Sequence, residues 1–296
     1  MAEAAAEHVL RWHRPAAGTV RDGDTWVWRW RHAQVMGVVN VTPDSFSDGG
    51  RTFAPDAAIA AGSAAWRAGA AVIDVGGASS RPGAEPVAAE VELDRVRPVL
   101  RGLRSACLPA RLSIDTSRPE VATVALAEGA DLVNDVTGLR DPELRRVCAE
   151  AGVPVVIGHL SGPAPPARAG TRREAPVEDV VSEVREALLA AAERALAAGV
   201  PSLVLDPGIG FGKRLEHNRE LLLATDRLAA LGYPLLVGAS RKGSLGRVVG
   251  EPIAARRDAA SIAAHLAVVA RGAALVRAHD VVGHVQALAV WRWLHG

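Results

Sequence analysis

Cysteine is scarce: Cys107 and Cys148 are the only two, each in a helical context with no ligand-type neighbours. This argues against a disulfide framework or a zinc site and leaves two buried free thiols. No apolar run reaches membrane-spanning length, and the opening MAEAAAEHVLRWHR carries acidic residues where a secretory signal would place basic ones. A cytoplasmic protein without a membrane role is predicted. Blocks of one charge sign are also missing, and the formal net charge of +1 is spread along the chain, so neither nucleic acid nor a membrane surface is an expected partner and any anion site must be local. Lysine is nearly absent: of the 34 basic residues only Lys213 and Lys242 are lysines. Positions that need only positive charge are filled by arginine, which marks these two as places where an ammonium is wanted for itself.

What the chain does have is apolar content, 49% over 296 residues, ample for a sizeable core. Its organising stretch is MGVVNVTPDSFSDGG, residues 36–50, in which a buried strand runs into a loop of polar acceptors and glycines far richer than a turn requires. Such a loop is suited to holding a ligand. Residues 1–34 read as an N-terminal extension in which Trp26, Trp28 and Trp30 alternate with Val27 and Arg29, as along one face of a hairpin strand. Covering one end of a core is the expected use of that tryptophan face, ahead of stacking on a base.

From residue 35 to 296 the chain alternates apolar strands and helices. The first helix spans about 56–69, with Asp56 as cap and Gly69 as stop, and the seventh strand lies in PLLVGASRK, reaching Ser240 and Lys242. Eight strand-then-helix units in about 260 residues predict a single α/β domain, a (β/α)8 TIM barrel, in preference to a doubly wound open sheet, because no Gly-rich dinucleotide fingerprint follows the first strand.

In such a barrel the C-terminal strand ends face one mouth, and here they carry Asn40, Asp74, Asp115, Asn134, His159, Asp206, Lys242 and Arg277. Eight converging polar groups indicate a shared site. Asp135 and Asp280 read as helix caps. Arg81, Arg241, Lys242, Arg277 and His279 suit an anion, since the last two loops of these barrels often bind phosphate and arginine offers a bidentate fork. Asp115, Asn134 and Asp206 suit a flat heterocycle with N–H donors along one edge, with Lys242 reaching a ring acceptor.

The motifs NVTPDSFSDGG, DVGGASSRPGA, SIDTSRPEVA, VNDVTG, LDPGIGFGK with EHN, LVGASRK and VRAHDV, in this order, resemble those of the dihydropteroate synthase family of pterin-binding TIM barrels. The resemblance implies a transferase of folate synthesis that condenses 6-hydroxymethyl-7,8-dihydropterin diphosphate with 4-aminobenzoate, with Mg²⁺ assistance. It implies that Asp206, Asn134, Asp115 and Lys242 bind the pterin, and that Asn40, Arg81, Arg277 and His279 bind the diphosphate. Mg²⁺ would lie near Asn40 and Asp48, and aminobenzoate among Phe46, Ser80, Pro82, Phe211 and Ser240. Asp115, Lys242, Arg277 and Asn40 would form the catalytic set. A sulfonamide target and a homodimer are further family implications, the dimer pairing outer helices of units six to eight, where SIAAHLAVVA is apolar on more than one stripe. The chain departs from the family at Ala78, Ser80, Gly158 and Gly243, and Gly158 is expected to widen the pocket. Two rival readings are a non-catalytic pterin-binding paralogue and a pterin-dependent methyltransferase; the intact first loop weighs against the former, and Arg81, Arg277 and His279 against the latter.

Overall fold

The protein is described by a computed structural model covering residues 7–42, 55–78, 87–106, 109–161 and 179–295. Phe46, Asp48, Ser80, Arg81, Pro82 and Cys107 lie outside the described residues.

Eight strands form a parallel sheet: β4 (Gln34–Asn40), β5 (Val72–Gly76), β6 (Arg111–Asp115), β7 (Leu132–Asp135), β8 (Val155–Gly158), β9 (Leu203–Asp206), β10 (Leu236–Val237) and β11 (Leu275–Ala278). The spatial order is β10-β11-β4-β5-β6-β7-β8-β9. A single parallel bridge, Leu205 to Leu235, joins β9 to the segment before β10 and completes the ring. Helices follow the strands: α1 (Pro55–Arg67), α2 (Ala89–Ser105), α3 (Pro119–Ala127), α4 (Pro142–Glu150), α5 (Val180–Ala197), α6 (Leu215–Leu223), α7 (Thr225–Ala229), α8 (Gly243–Val249), α9 (Asp258–Val269) and α10 (Val281–His295). The predicted TIM barrel is thus the fold. Its strands are buried on both faces, which explains their unbroken apolar character. Among the described residues, no helix is long and apolar enough to cross a membrane.

The seventh barrel strand is shorter than expected. It ends at Val237, because Ala239–Lys242 forms a turn closed by the Lys242 N–H to the Ala239 carbonyl at 3.3 Å. Arg241 sits there at φ 57°, in the left-handed region.

The N-terminal extension is a three-stranded antiparallel sheet, β1 (His8–Trp12), β2 (Val20–Asp22) and β3 (Thr25–Trp30), with β3 in the middle. It is one strand more than a hairpin. The Trp12 indole donates to the Asp131 carbonyl at 2.6 Å and the Trp30 indole to the Ala274 carbonyl at 3.2 Å. The His13 N–H donates to Gly152 O at 2.9 Å. Asp131, Gly152 and Ala274 precede β7, β8 and β11, so the sheet covers the N-terminal end of the barrel, opposite the mouth. Trp28 stacks on Trp30 with centroids 4.0 Å apart, and the Arg111 guanidinium at the start of β6 lies 4.0 Å over the Trp28 ring. The tryptophan face therefore closes the core. Trp12 is completely buried, so Trp12→Ala should cost about 3 to 5 kcal/mol from the cavity and lost burial, and slightly more from the orphaned carbonyl. Urea unfolding checks this; a loss under roughly 1 kcal/mol would show that the sheet is only loosely seated.

Candidate active site

Strand register sets which side chains enter the barrel together. Gly76 pairs with Asp115 and Asp115 with Asn134, while Asp74 pairs with Ser113 one layer below. At the centre is Arg277, on β11. Its Nε donates to Asp74 Oδ2 at 2.6 Å and its Nη2 to Asp115 Oδ2 at 2.7 Å. Asn134 Nδ2 also donates to Asp74 Oδ2, at 3.0 Å. One guanidinium and one amide therefore hold a buried carboxylate from β5 and a partly buried one from β6.

Burial pushes Asp115 up to about 7; Arg277 pulls against that rise and the Asp74 charge reinforces it. Burial also works against the Arg277 charge, but the Asp74 and Asp115 carboxylates more than offset it and leave its pKa above the usual value. Of the four buried side-chain atoms without a hydrogen-bond partner among the described residues, two, Asp74 Oδ1 and Ser113 Oγ, lie here. Asn40, at the end of β4, is half-buried at the rim.

A second cluster spans β9 and β10. Asp206 Oδ1 accepts the Gly208 N–H at 2.7 Å. Burial raises the Asp206 pKa, opposed by that N–H and by the charges of Lys242, Lys213 and Arg277. Lys242 Nζ lies 3.8 Å above the centre of the Phe211 ring, an arrangement that attracts a cation to a π face. Gly210, at φ +83°, passes so close that a Cβ would lie 3.0 Å from Lys242 Cδ. Near them the Ser240 hydroxyl accepts the His279 backbone N–H at 3.1 Å and lies 2.9 Å from His279 Nδ1. The expected aminobenzoate serine is therefore in direct contact with the expected diphosphate histidine.

Other residues fall elsewhere than expected. Arg241 turns away from the mouth: its Nε and Nη2 form a bidentate pair with Asp258 at 2.7 and 2.8 Å, and its N–H donates to Ser261 Oγ. It fastens the turn to α9. The His159 ring faces α5 and Lys213, with Nδ1 3.0 Å from Lys213 Nζ and Nε2 3.9 Å from Glu183. Gly158 does not widen the site, because a Cβ there would lie 2.8 Å from the Val136 Cα; the backbone leaving β7 fills that space. At Gly243 a Cβ would meet nothing, so glycine is not required. Asp280 caps α10 through the Gly283 N–H at 3.0 Å, as read from the sequence. Asp135 instead shapes a turn before α4, accepting from Thr137 N and Leu139 N, while Asp141 caps that helix. Cys148 is buried and free.

Three groups had no assigned role in the sequence reading. Asp74 joins Arg277 to Asn134. Glu92 on α2, buried, accepts from Thr116 Oγ1 at 2.7 Å and anchors the chain beyond Asp115. Lys213 binds the β9 loop. Asp74 and Lys213 carried sequence signals, an acid inside an apolar strand and a rare lysine; Glu92 carried none.

The chain is similar to known proteins over most of its length. The family model described as Pterin binding enzyme matches residues 36–279. The chain is 47% identical over 276 residues to the dihydropteroate synthase of Mycobacterium leprae, covering 88% of this chain and 94% of that protein. It belongs to the dihydropteroate synthase family of pterin-binding enzymes. It is also 39% identical over 262 residues to the Escherichia coli dihydropteroate synthase, covering 88% of this chain and 90% of that protein. In contrast, it spans only 30% of a probable bifunctional folylpolyglutamate synthase/dihydropteroate synthase of Haloferax volcanii, at 44% identity. Among solved structures, the Xanthomonas albilineans dihydropteroate synthase with 4-aminobenzoic acid superposes with a TM-score of 0.84 at 43% identity, covering 91% of this chain and 96% of that one. The same enzyme in complex with 7,8-dihydropteroate gives a TM-score of 0.82 at 40% identity, covering 97% and 99%.

Proposed function

We propose that this chain condenses 6-hydroxymethyl-7,8-dihydropterin diphosphate with 4-aminobenzoate, releasing diphosphate and forming 7,8-dihydropteroate. The observation that carries this reading is the pair of adjoining clusters at the barrel mouth, Asp74–Arg277–Asp115–Asn134 and Asp206–Lys242–Phe211, in a chain this similar to dihydropteroate synthases. A donor-rich pterin edge fits the acceptors of Asp206 and Asn134. The amide of Asn134, donating to Asp74, turns its oxygen toward other partners. Lys242 reaches the ring's acceptor side while its ammonium rests on Phe211.

The CH₂–O bond to diphosphate breaks with its electron pair leaving on the diphosphate, and the aminobenzoate nitrogen forms the new C–N bond and loses a proton. Positive charge gathers on the pterin methylene as the bond weakens, where the Asp115 carboxylate stabilises it. Arg277 spends two nitrogens on carboxylates, so its diphosphate contact falls to Nη1. Ser240 fixes the His279 imidazole beside the aminobenzoate position. Phe46, Ser80, Pro82 and Arg81 keep the roles proposed from the family pattern. No strong nucleophile is needed, because positioning and exclusion of water supply the rate. Asn40 has no hydrogen-bond partner for its side chain among the described residues, and its amide oxygen is the hard donor type that Mg²⁺ takes. Asn40 and Asp48 would hold the ion, which when bound supplies positive charge to the leaving diphosphate.

We further infer a cytoplasmic homodimer. The stretch SIAAHLAVVA, most of α9 and its C-cap, rests much of its apolar surface on neighbours, whereas α8 and α10 expose Val248, Val249, Val282, Val290, Trp293 and Leu294. These helices are the better dimer surface. Light scattering should give twice the chain mass at micromolar concentration, and a monomer there overturns the inference.

Diphosphate release by the purified protein should require both 4-aminobenzoate and Mg²⁺. Pterin binding with no release in any condition would favour a non-catalytic paralogue, and full activity in EDTA would remove the metal from the scheme. Lys242→Arg preserves charge but replaces a compact ammonium with a wider planar fork. Displacing the reacting carbon by roughly 1 Å can cost on the order of a hundredfold in rate, and a loss of that size in kcat/KM with unchanged thermal stability is expected. Activity within about threefold of the parent would reduce Lys242 to a point charge.

A further inference from the structure

Lys213 is the lysine that the reaction scheme leaves unused. Its Nζ is surrounded by the Gly208 carbonyl at 2.9 Å, the His159 carbonyl at 3.0 Å, His159 Nδ1 at 3.0 Å and the Phe211 carbonyl at 3.3 Å. With Lys213 protonated, its ammonium has three protons and no lone pair, so in that form His159 Nδ1 is the acceptor and the imidazole carries its proton on Nε2. The carbonyls converge because the exits of β8 and β9 approach each other closely. Gly208, at φ +68°, lies where a Cβ would be 1.8 Å from the His159 carbonyl oxygen. Two buried carbonyls aimed at one point repel, and a cation between them makes the contact attractive. Three protons in a tetrahedral fan reach the three acceptors at 2.9 to 3.0 Å, with the Phe211 carbonyl at 3.3 Å sharing one of them, whereas a guanidinium directs its donors outward in one plane.

The same loop reaches the substrate side of the site. Phe211, whose carbonyl faces Lys213, carries the ring beneath the Lys242 ammonium. Gly210 packs on the Lys242 stem and is held by its N–H to Asn218 Oδ1 at 2.6 Å. We propose that Lys213 is a positioning residue for pterin binding: its ammonium fixes the 207–212 loop, and through Phe211 and Gly210 it sets the place of Lys242 beside Asp206. This rests on the reaction proposed above. The burial of Lys213 shows the demand on the residue, lowering its pKa to about 7 despite the Asp206 and Glu183 charges. Its charge in turn favours the ionised form of Asp206 that accepts ring N–H groups.

The test compares Lys213→Met, Lys213→Arg, Phe211→Leu and the double variant Lys213→Met/Phe211→Leu. Calorimetry with 6-hydroxymethylpterin, steady-state kcat/KM and amide exchange are the readouts. Both lysine variants should lose at least about tenfold in pterin affinity and in kcat/KM, with faster amide exchange confined to 208–212. Phe211→Leu should add little once Lys213 is gone, because the two act through one loop. Should Lys213→Met fail to fold, Lys213→Gln, which retains donors, takes its place in the same comparison. Lys213→Arg within about threefold of the parent in affinity and exchange would mean that charge alone suffices and would overturn the proposal. Additive losses, or unchanged exchange in the loop, would overturn it equally. If the parent protein forms no dihydropteroate, the reaction assignment fails, while loop exchange in the lysine variants still decides whether Lys213 orders the loop.

Discussion

The Arg277 guanidinium, held between Asp74 and Asp115, is the interaction on which the rest of the mouth depends. Side-chain exposure there is 0% for Asp74 and 14% to 17% for the other two, so each charge has lost most of its water. An isolated carboxylate at that depth would be untenable. Bridged, the pair is tolerated, and its geometry fixes β5, β6 and β11 at the level where the ligand must sit. Such networks are weak evidence for stability, since desolvation offsets most of the attraction. Their use here is placement: Asp74 also receives Asn134, so two site residues share one anchor. In the proposed reaction, the Asp115 carboxylate is thereby already aimed before substrate arrives.

The two lysines show the complementary use of a cation. Arginine serves where a flat fork meets carboxylates, as at Arg277 and in the Arg241–Asp258 pair. Lysine serves where donors must radiate from one atom or where a small charge must rest on a ring. Lys213 among carbonyls is the first case, and Lys242 over Phe211 the second. Geometry explains the two positions that escape the compositional bias against lysine, and both charges act on Asp206.

Much of this was legible in the chain because a parallel strand buried on both faces reads as an apolar run whose polar end residue stands out; Asn40, Asp115, Asn134 and Asp206 were found in this way. The barrel followed from the count and rhythm of such runs. What stayed hidden depends on backbone path. Arg241 and Lys242 are adjacent in sequence, yet a left-handed residue in the turn sends one to α9 and the other to the mouth. Lys213 was flagged by rarity, but its partners are mostly backbone carbonyls, which no side-chain pattern reveals. Asp74 was counted among the convergent groups without a role, because pairing with Arg277 joins residues 203 positions apart. Gly158 was misread because the space beside it is taken by the backbone leaving the neighbouring strand rather than by a side chain.

The two ends of the barrel solve the same problem differently. Strand ends leave backbone groups needing partners, and at the N-terminal end the extension supplies them through the Trp12, Arg14 and Trp30 side chains and the His13 N–H, sealing the core with apolar rings. At the mouth the comparable task falls to ionisable side chains, and it is left incomplete: Asp74 Oδ1 and Ser113 Oγ stay unpaired among the described residues. Unmet buried polar atoms each cost on the order of 1 to 3 kcal/mol, so they persist where something returns that energy. The base is closed by apolar rings, yet there too a buried atom, Arg111 Nε, has no partner among the described residues, so underbonding is shared by both ends.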